Sequence, residues 1–293
     1  MLYQLSYTPA GGVALAAKRG DDKRAAKGHT PRHAMHAPAI SPIDPDLLLS
    51  AYRAGIFPMA DARDDPEVFW VEPRRRAILP LDGFRLSASL ARTLRRERFA
   101  VTCNAAFDAV IEACAESREG RSETWISGRI AASYRELHRL GRAHSIECWS
   151  GDELVGGLYG VGFDRVFCGE SMFSTRSDAS KVALAWLVAA LRRAGATLLD
   201  CQFMTDHLAS LGAIEIDQAQ YLARLRAAQA GAVAGFGAAS GVGVGDGPGE
   251  AAALGMPAGF AALLDDAFAE FFGAPGVASS PGKRIAQSLT QTS

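Results

Sequence analysis

Long apolar runs, which a membrane-spanning helix requires, are missing from this chain of 293 residues. No stretch of about eighteen apolar residues occurs, so no transmembrane helix and no membrane partner are predicted. The N-terminus has no basic region before an apolar core, and Pro9, Gly11 and Gly12 interrupt its apolar residues, so it does not resemble a signal peptide. We therefore expect a cytoplasmic protein.

Cysteine is scarce and is not grouped. None of the five cysteines forms a C-x-x-C pair, and no Cys/His group has the spacing of a zinc site. They are Cys103, Cys114, Cys148, Cys168 and Cys201. The sequence predicts reduced thiols of a cytosolic protein and no bound metal.

Nucleotide-binding loops are also missing. The glycine-rich segment Gly156-Gly157-Leu158-Tyr159-Gly160 fits neither the P-loop pattern nor the dinucleotide pattern, so no cofactor is predicted. The 31 basic and 32 acidic residues give a net charge of -1, which excludes a uniformly basic nucleic-acid coat. Binding of a polyanion would have to use local basic patches.

Composition and periodicity divide the chain into three segments. Residues 1–40 are basic, rich in Gly, Ala and Pro and without periodicity, so they predict a disordered extension. Residues 41–226 carry regular helix and strand patterns and contain the main domain. Residues 227–293 begin with a Gly/Ala-rich linker and predict a loose C-terminal tail, with one helical pattern at residues 258–272.

The main domain alternates helical and strand patterns. Helical spacing at residues 128–140 is followed by strand patterns at 144–149, 153–161 and 166–172, a helix at 178–194 and a strand at 197–203. Successive strands, a long helix and a further strand predict an α+β, or mixed α/β, sheet.

Polar side chains interrupt two of these apolar strands. Asp200 and Gln202 are two residues apart and therefore point the same way, and Glu170 interrupts an aromatic-rich strand. Taken alone, Asp200 and Gln202 also fit a strand end that emerges into solvent, and Glu170 fits an acid that backbone amides satisfy. Because unpaired buried acids are costly, two acids in apolar strands favour a functional site.

Other residues have two open interpretations. The side chains of Trp70, Trp125, Leu158, Phe167 and Phe173 fit either an apolar pocket or the core. The basic residues Arg74, Arg75, Arg76 and Lys181 fit either a solvated face or sequence-independent contacts to phosphates.

Seven ordered motifs over roughly residues 41–215 carry a family resemblance. They are Glu123-Thr124-Trp125-Ile126, Ala143-His144-Ser145, Leu154–Val161, Phe167-Cys168-Gly169-Glu170-Ser171-Met172-Phe173-Ser174, Ala179-Ser180-Lys181, Asp200-Cys201-Gln202 and His207–Ala213. The segment Ala51–Pro58 matches as well. At these positions the sequence resembles the leucyl/phenylalanyl-tRNA–protein transferases.

The resemblance implies a fold and an activity. The fold would be a small N-terminal domain at residues 41–76 followed by an acetyltransferase-like (GNAT-type) domain at residues 77–226. The activity would be transfer of Leu or Phe, with Met as a further donor, from aminoacyl-tRNA to proteins that begin with Arg or Lys. The new N-terminus would mark those proteins for degradation. No cofactor is implied, because the aminoacyl ester is already activated.

The resemblance also implies roles for single residues. Asp200 and Gln202 would be catalytic, taking or relaying the amine proton and polarising the ester, and Glu170 would bind the cationic acceptor. Leu158, Phe167 and Phe173 would form the slot for the donor side chain. The adenosine and the tRNA would contact Trp70, Trp125, Arg74, Arg75, Arg76 and Lys181.

Two other functions remain to be weighed against this one. An acetyltransferase that uses acetyl coenzyme A would need a glycine-rich pyrophosphate loop, whereas residues 174–181 contain only Ser, Thr, Arg, Asp, Ala and Lys. A non-catalytic RNA-binding protein would not need Asp200 and Gln202 in an apolar strand.

Overall fold

A computed structural model describes residues 41–116, 124–235, 259–272 and 280–290. The helices in these ranges are α1 (Pro45–Arg53), α2 (Ala88–Arg95), α3 (Phe107–Ala115), α4 (Gly128–Arg139), α5 (Ala179–Arg193), α6 (Asp206–Ser210), α7 (Gln218–Gly235), α8 (Gly259–Phe272) and α9 (Pro281–Thr290). The strands are β1 (Phe57–Met59), β2 (Phe69–Val71), β3 (Arg75–Ile78), β4 (Ala100–Cys103), β5 (Ala143–Ser150), β6 (Glu153–Phe163), β7 (Val166–Ser174), β8 (Leu198–Gln202) and β9 (Ile214–Asp217). A short 3-10 helix spans Leu81–Gly83.

A seven-stranded sheet with the order β4-β5-β6-β7-β8-β3-β9 organises the main domain. Its neighbouring strands pair antiparallel except β7 and β8, which pair parallel and are joined through α5. The mixed α/β class is confirmed. An antiparallel run followed by a long helix and one parallel strand is also the acetyltransferase-like arrangement that the resemblance implies.

The two faces of the sheet bury separate apolar clusters. Helices α2, α5, α8 and α9 supply the cluster on one face, which includes Leu158 and Phe167. Helices α1, α3, α4 and α7 supply the cluster on the other face, which includes Phe173. Among the described residues, no helix has the length and apolar character needed to cross a membrane.

The N-terminal segment begins as predicted and ends inside the main sheet. The Asp44 carboxylate caps α1 by accepting from the backbone N–H groups of Asp46 and Leu47. Strands β1 and β2 pair antiparallel as a separate ribbon. The predicted boundary between residues 76 and 77 falls within β3, which belongs to the seven-stranded sheet.

The C-terminal segment differs from the prediction of a loose tail. Helix α7 extends through residue 235, and α8 and α9 pack on α5. Phe260 of α8 fills the space above Gly162, where an added Cβ would come within 2.3 Å of its ring. The Ile285, Ala286 and Leu289 side chains of α9 are buried, so this helix has an apolar face despite its polar composition. The predicted extension at residues 1–40 lies outside the described residues.

Gly160 allows close packing between β6 and β7. A Cβ added there would lie 2.3 Å from the Cys168 carbonyl oxygen and 2.4 Å from the Phe167 ring. We expect Gly160→Ala to lower the free energy of unfolding by about 1–3 kcal/mol, because the backbone must shift to accept the methyl group. Urea unfolding measures this. The partner residue Gly169 is the control, since its added Cβ meets its nearest neighbour at 3.6 Å. Equal effects of both substitutions would contradict the packing argument.

Candidate active site

The parallel strands at the centre of the sheet separate and leave a notch. Pairing between β7 and β8 ends at Cys168 and Asp200, although β7 continues to Ser174 and β8 to Gln202. Beyond this point, the backbones of β7 and β8 are not paired by hydrogen bonds. The notch therefore brings the predicted Glu170 and Gln202 to facing edges of one opening.

A β-bulge directs Glu170 towards this notch. Tyr159 lies opposite Ser171 and Gly160 lies opposite Gly169, so Glu170 has no partner on β6. A bulge of this kind re-aims the side chain of the extra residue. The Glu170 carboxylate is fully buried as a result.

Hydrogen bonds fix both oxygens of the Glu170 carboxylate. The Tyr134 hydroxyl donates to Oε2 at 2.9 Å, and Nε2 of Gln202 donates to Oε1 at 2.8 Å across the notch. Tyr134 also shares a short hydrogen bond with the Tyr52 hydroxyl. Burial raises the pKa of Glu170 to about 7, although hydrogen bonds from Tyr52 and Tyr134 oppose this shift. Glu170 therefore changes its charge near neutral pH.

The backbone of Gln202 has an unusual conformation. Its φ is 59°, in the left-handed region that residues other than glycine rarely adopt. Oδ1 of Asp200 accepts a hydrogen bond from the Gln202 N–H at 2.9 Å, which stabilises this conformation. Strain of this kind is typical of functional sites. It turns the Gln202 amide towards Glu170 at the end of β8.

Asp200 forms a buried ion pair with Arg76. Nε of Arg76 donates to Oδ1 at 2.9 Å, and Nη2 donates to Oδ2 at 2.6 Å. The Tyr221 hydroxyl donates to Oδ2 at 3.0 Å. With the Gln202 N–H, these donors occupy both oxygens. The catalytic role expected of Asp200 together with Gln202 stays a prediction, and the structure adds that the Asp200 carboxylate is bound by these donors.

Arg76 is not at the surface. The side chain is 1% exposed, and its guanidinium lies 4.8 Å from the centre of the Phe57 ring and 4.4 Å from that of Tyr221. Although burial opposes it, the Asp200 carboxylate raises the pKa of Arg76. The expected contact of Arg76 with RNA phosphate is wrong, because the guanidinium is enclosed and paired.

Two small cavities lie beside the notch. The smaller cavity, of about 10 Å³, is lined by the polar residues Glu170 and Gln202 and by Phe57, Met59, Trp125 and Phe203; we call it the polar cavity after its two polar residues. The apolar cavity, of about 20 Å³, has walls that include Leu158, Met172, Leu184, Leu187, Leu199 and Leu208. Each has room for about one water molecule. Along β7 and along β8, some residues line the apolar cavity and their neighbours line the polar cavity. The edges of the two strands at the notch therefore separate the two cavities.

The three residues expected to form one slot for a donor side chain do not lie together. Leu158 lines the apolar cavity, whereas Phe167 stacks on Phe260 with 6.1 Å between ring centres, and Phe173 lies in the cluster on the other face. Met172 and the α5 residues Leu184 and Leu187 also line the apolar cavity and were not among the predicted site residues. The spacing of Leu184 and Leu187, three residues apart on one helix face, was the available signal.

The remaining predicted contacts are spread around this site. Trp125 lines the polar cavity, while Trp70 of β2 is 37% exposed and pairs with Pro58. Arg74 is exposed. Arg75 pairs with Glu215 at 2.8 Å, and Lys181 pairs with Asp178 at 3.3 Å.

The Cys201 thiol next to Asp200 is no nucleophile, because burial raises its pKa. In the parts of the chain that the structure describes, no group of three or more His, Cys, Asp or Glu side chains is arranged to hold a metal ion.

Two protein-family models match the two parts of the chain that supply the residues of this site. The family model described as leucyl/phenylalanyl-tRNA protein transferase matches residues 78–226, and the model of its N-terminal domain matches residues 41–74. Its relatives include three proteins named leucyl/phenylalanyl-tRNA–protein transferase from different bacteria. The protein of Novosphingobium aromaticivorans is 65% identical over 263 residues, which cover 86% of this chain and 97% of that protein.

The other two relatives are similar over shorter lengths. The protein of Rhizorhabdus wittichii is 61% identical over 197 residues, covering 67% of this chain and 79% of its own length. The protein of Zymomonas mobilis is 61% identical over 186 residues, covering 64% and 69%. The chain therefore belongs to the leucyl/phenylalanyl-tRNA–protein transferase family, and it is an aminoacyltransferase that uses aminoacyl-tRNA.

Proposed function

We propose that the chain transfers Leu or Phe, with Met as a further donor, to the α-amine of cytoplasmic proteins that begin with Arg or Lys, and so marks them for degradation. The hydrogen bond between Glu170 and Gln202 carries this proposal. It lies between an apolar cavity, whose lining matches the chemistry of an aliphatic or aromatic donor side chain, and a second cavity that Glu170 and Gln202 line.

The apolar cavity is the proposed site of the donor side chain. Its volume of about 20 Å³ is smaller than Leu or Phe, so binding requires wall residues to move. Met172 is suited to this, because an unbranched thioether changes rotamer easily. We place the adenosine against Trp125, with Trp70 further out, and the tRNA phosphates near Arg74, Arg75 and Lys181.

The polar cavity is the proposed entrance of the acceptor amine. A free α-amine has a pKa of about 7.7–8.0 and is largely an ammonium at neutral pH. Ionised Glu170 attracts that ammonium and takes one proton from it, which leaves a neutral amine at Gln202. The attraction is strong because the carboxylate is buried and makes no ion pair among the described residues.

The chemical step follows from this placement. The amine nitrogen attacks the ester carbonyl carbon and forms the C–N bond, while the bond from that carbon to the ribose oxygen breaks. The departing ribose oxygen receives the second proton that the amine loses, and Glu170 returns the first proton to solvent. The Gln202 amide has a second N–H that polarises the ester carbonyl, and its oxygen orients the amine. Placement of both substrates contributes the rest.

A transfer assay tests the proposal. Purified protein is incubated with radiolabelled leucyl-tRNA and peptides that differ only in beginning with Arg, Lys or Ala. Label is expected in the Arg and Lys peptides and not in the Ala peptide. Equal labelling of all three would refute the acceptor assignment. Binding of tRNA without label in any peptide would refute transfer, and acetylation of the peptides from acetyl coenzyme A would favour the acetyltransferase alternative.

The Tyr134 hydroxyl adjusts the pH dependence of this reaction. Its hydrogen bond to Glu170 opposes the rise in pKa that burial causes. We expect Tyr134→Phe to raise that pKa, so that the ionised form appears only at higher pH. The acid limb of kcat/KM against pH should move upward by about one unit.

Tyr159→Phe is the matched control for this shift. Its hydroxyl is also buried but has no hydrogen-bond partner among the described residues. Measured pH profiles should be the same for Tyr159→Phe and wild type. If the acid limb of kcat/KM against pH is the same in Tyr134→Phe as in wild type, ionisation of Glu170 does not set that limb.

A further inference from the structure

The buried pair of Arg76 and Asp200 has no place in the chemical step described above. We propose that Arg76 is a positioning residue of the transfer centre, acting through Asp200 on the backbone of Gln202 and thereby on the Gln202 amide. The inference rests on the proposed transfer function and assigns the pair a part in it that requires no proton transfer at Asp200.

The first link runs from Arg76 to Asp200. Nε and Nη2 of the guanidinium bind the two carboxylate oxygens side by side, which fixes the plane of the carboxylate. Nη1 donates to the Gly55 carbonyl at 3.2 Å, so the guanidinium is itself anchored to the turn after α1. The rings of Phe57 and Tyr221 enclose it. The guanidinium of Arg76 is therefore held in place, and it holds the Asp200 carboxylate in one orientation.

The second link runs from Asp200 to Gln202. Oδ1 accepts from the Gln202 N–H at 2.9 Å, and the φ of Gln202 is 59°. A left-handed non-glycine residue needs surrounding structure to hold it. The third link is the Gln202 amide, which donates to Glu170 at 2.8 Å from this backbone conformation. The three links form one connected path from Arg76 to the reacting groups.

The negative charge of Asp200 serves to match Arg76. Removal of either partner leaves an uncompensated buried charge, which is strongly unfavourable, whereas neutral replacement of both is often tolerated. Asparagine at position 200 keeps an oxygen that accepts from the Gln202 N–H. An uncharged pair at positions 76 and 200 can therefore preserve the position of Gln202. If Asp200 instead accepted a proton in the reaction, an amide at position 200 could not replace it.

The test measures kcat/KM for leucine transfer in Arg76→Gln, Asp200→Asn and the double variant. We expect each single variant to lose at least about tenfold, and the double variant to return to within about threefold of wild type. A double variant no more active than Asp200→Asn would overturn the proposal, as would wild-type activity in Arg76→Gln. No label with wild-type protein would instead refute the transfer function itself.

Thermal unfolding shows whether Arg76→Gln and Asp200→Asn still fold. If they do not, a less disruptive variant tests whether Asp200 acts by positioning Gln202. Tyr221→Phe removes one donor to Asp200 and leaves the ion pair intact. The titratable groups that face Asp200 are Arg76, Tyr221, Cys168, Cys201 and Glu170. We expect Tyr221→Phe to lower kcat without moving the acid limb of the pH profile. A limb that moves to higher pH would show that Asp200 takes part in proton transfer and would overturn the proposal.

Discussion

Replacing Gln202 with alanine is expected to lower kcat/KM for leucine transfer about 100-fold, the effect of losing one preorganised donor at a developing oxyanion. The variant loses the amide that bridges to Glu170 at 2.8 Å and that polarises the ester. The loss should appear mainly in kcat, because the walls of the apolar cavity are unchanged. Steady-state kinetics with leucyl-tRNA and an Arg-starting peptide measure it.

Gln287→Ala is the control for this substitution. Gln287 is exposed on α9, remote from the notch in the sequence and on a helix that packs against α2 and α5. Its variant should keep wild-type kinetics. If Gln202→Ala stayed within about threefold of wild type, the amide would supply no more than a minor part of the chemical step.

Widening a side chain in the apolar cavity is expected to change donor selection. Leu158→Trp places an indole in a space of about 20 Å³ that the donor side chain must enter. Transfer of Phe should fall at least about 30-fold, since shape discrimination in apolar pockets reaches this range, and transfer of Leu should fall less. Competition between leucyl-tRNA and phenylalanyl-tRNA measures the ratio directly.

The same substitution at an exposed leucine separates pocket effects from general ones. Leu140 lies at the end of α4 and is 42% exposed. Leu140→Trp should leave the Leu-to-Phe ratio unchanged. Full activity of Leu158→Trp with both donors would remove Leu158 from the donor site.

Periodicity predicted the elements of the main domain well, although α5 and β8 are buried nearly all round. The helix predicted at 178–194 is Ala179–Arg193, and the strand predicted at 197–203 is Leu198–Gln202. The four-residue strand β9 was missed, since Ile214–Asp217 is too short and too polar to show a pattern. Helix α9 was missed because its polar residues concealed the buried Ile285, Ala286 and Leu289.

The bulge at Glu170 explains why Phe167 and Phe173, both predicted to line the donor slot, lie in different clusters. Phe167 and Phe173 are six residues apart, so uninterrupted alternation places them on one face. The extra residue in β7 shifts the alternation, and the two rings lie in different clusters. A single inserted residue leaves no mark in the composition of the strand.

The error at Arg76 has a different origin. Three consecutive arginines resemble a solvated basic run, yet β3 exposes Arg75 and buries Arg76. Alternation along a strand was the signal for an inward arginine, and the pairing of β3 with β8 is what brings Asp200 to it. That pairing depends on the tertiary fold. The sequence therefore singled out Glu170, Asp200 and Gln202, which are linked by hydrogen bonds in the structure, but it did not indicate that Arg76 pairs with Asp200.

A structure of the protein with a non-hydrolysable amide analogue of leucyl-adenosine tests the central claim most directly. The claim predicts the leucyl side chain between Leu158, Met172 and α5, the carbonyl carbon at the notch beside Gln202, and the adenine against Trp125. A leucyl group bound outside the apolar cavity, or a carbonyl carbon away from the Gln202 amide, would contradict it.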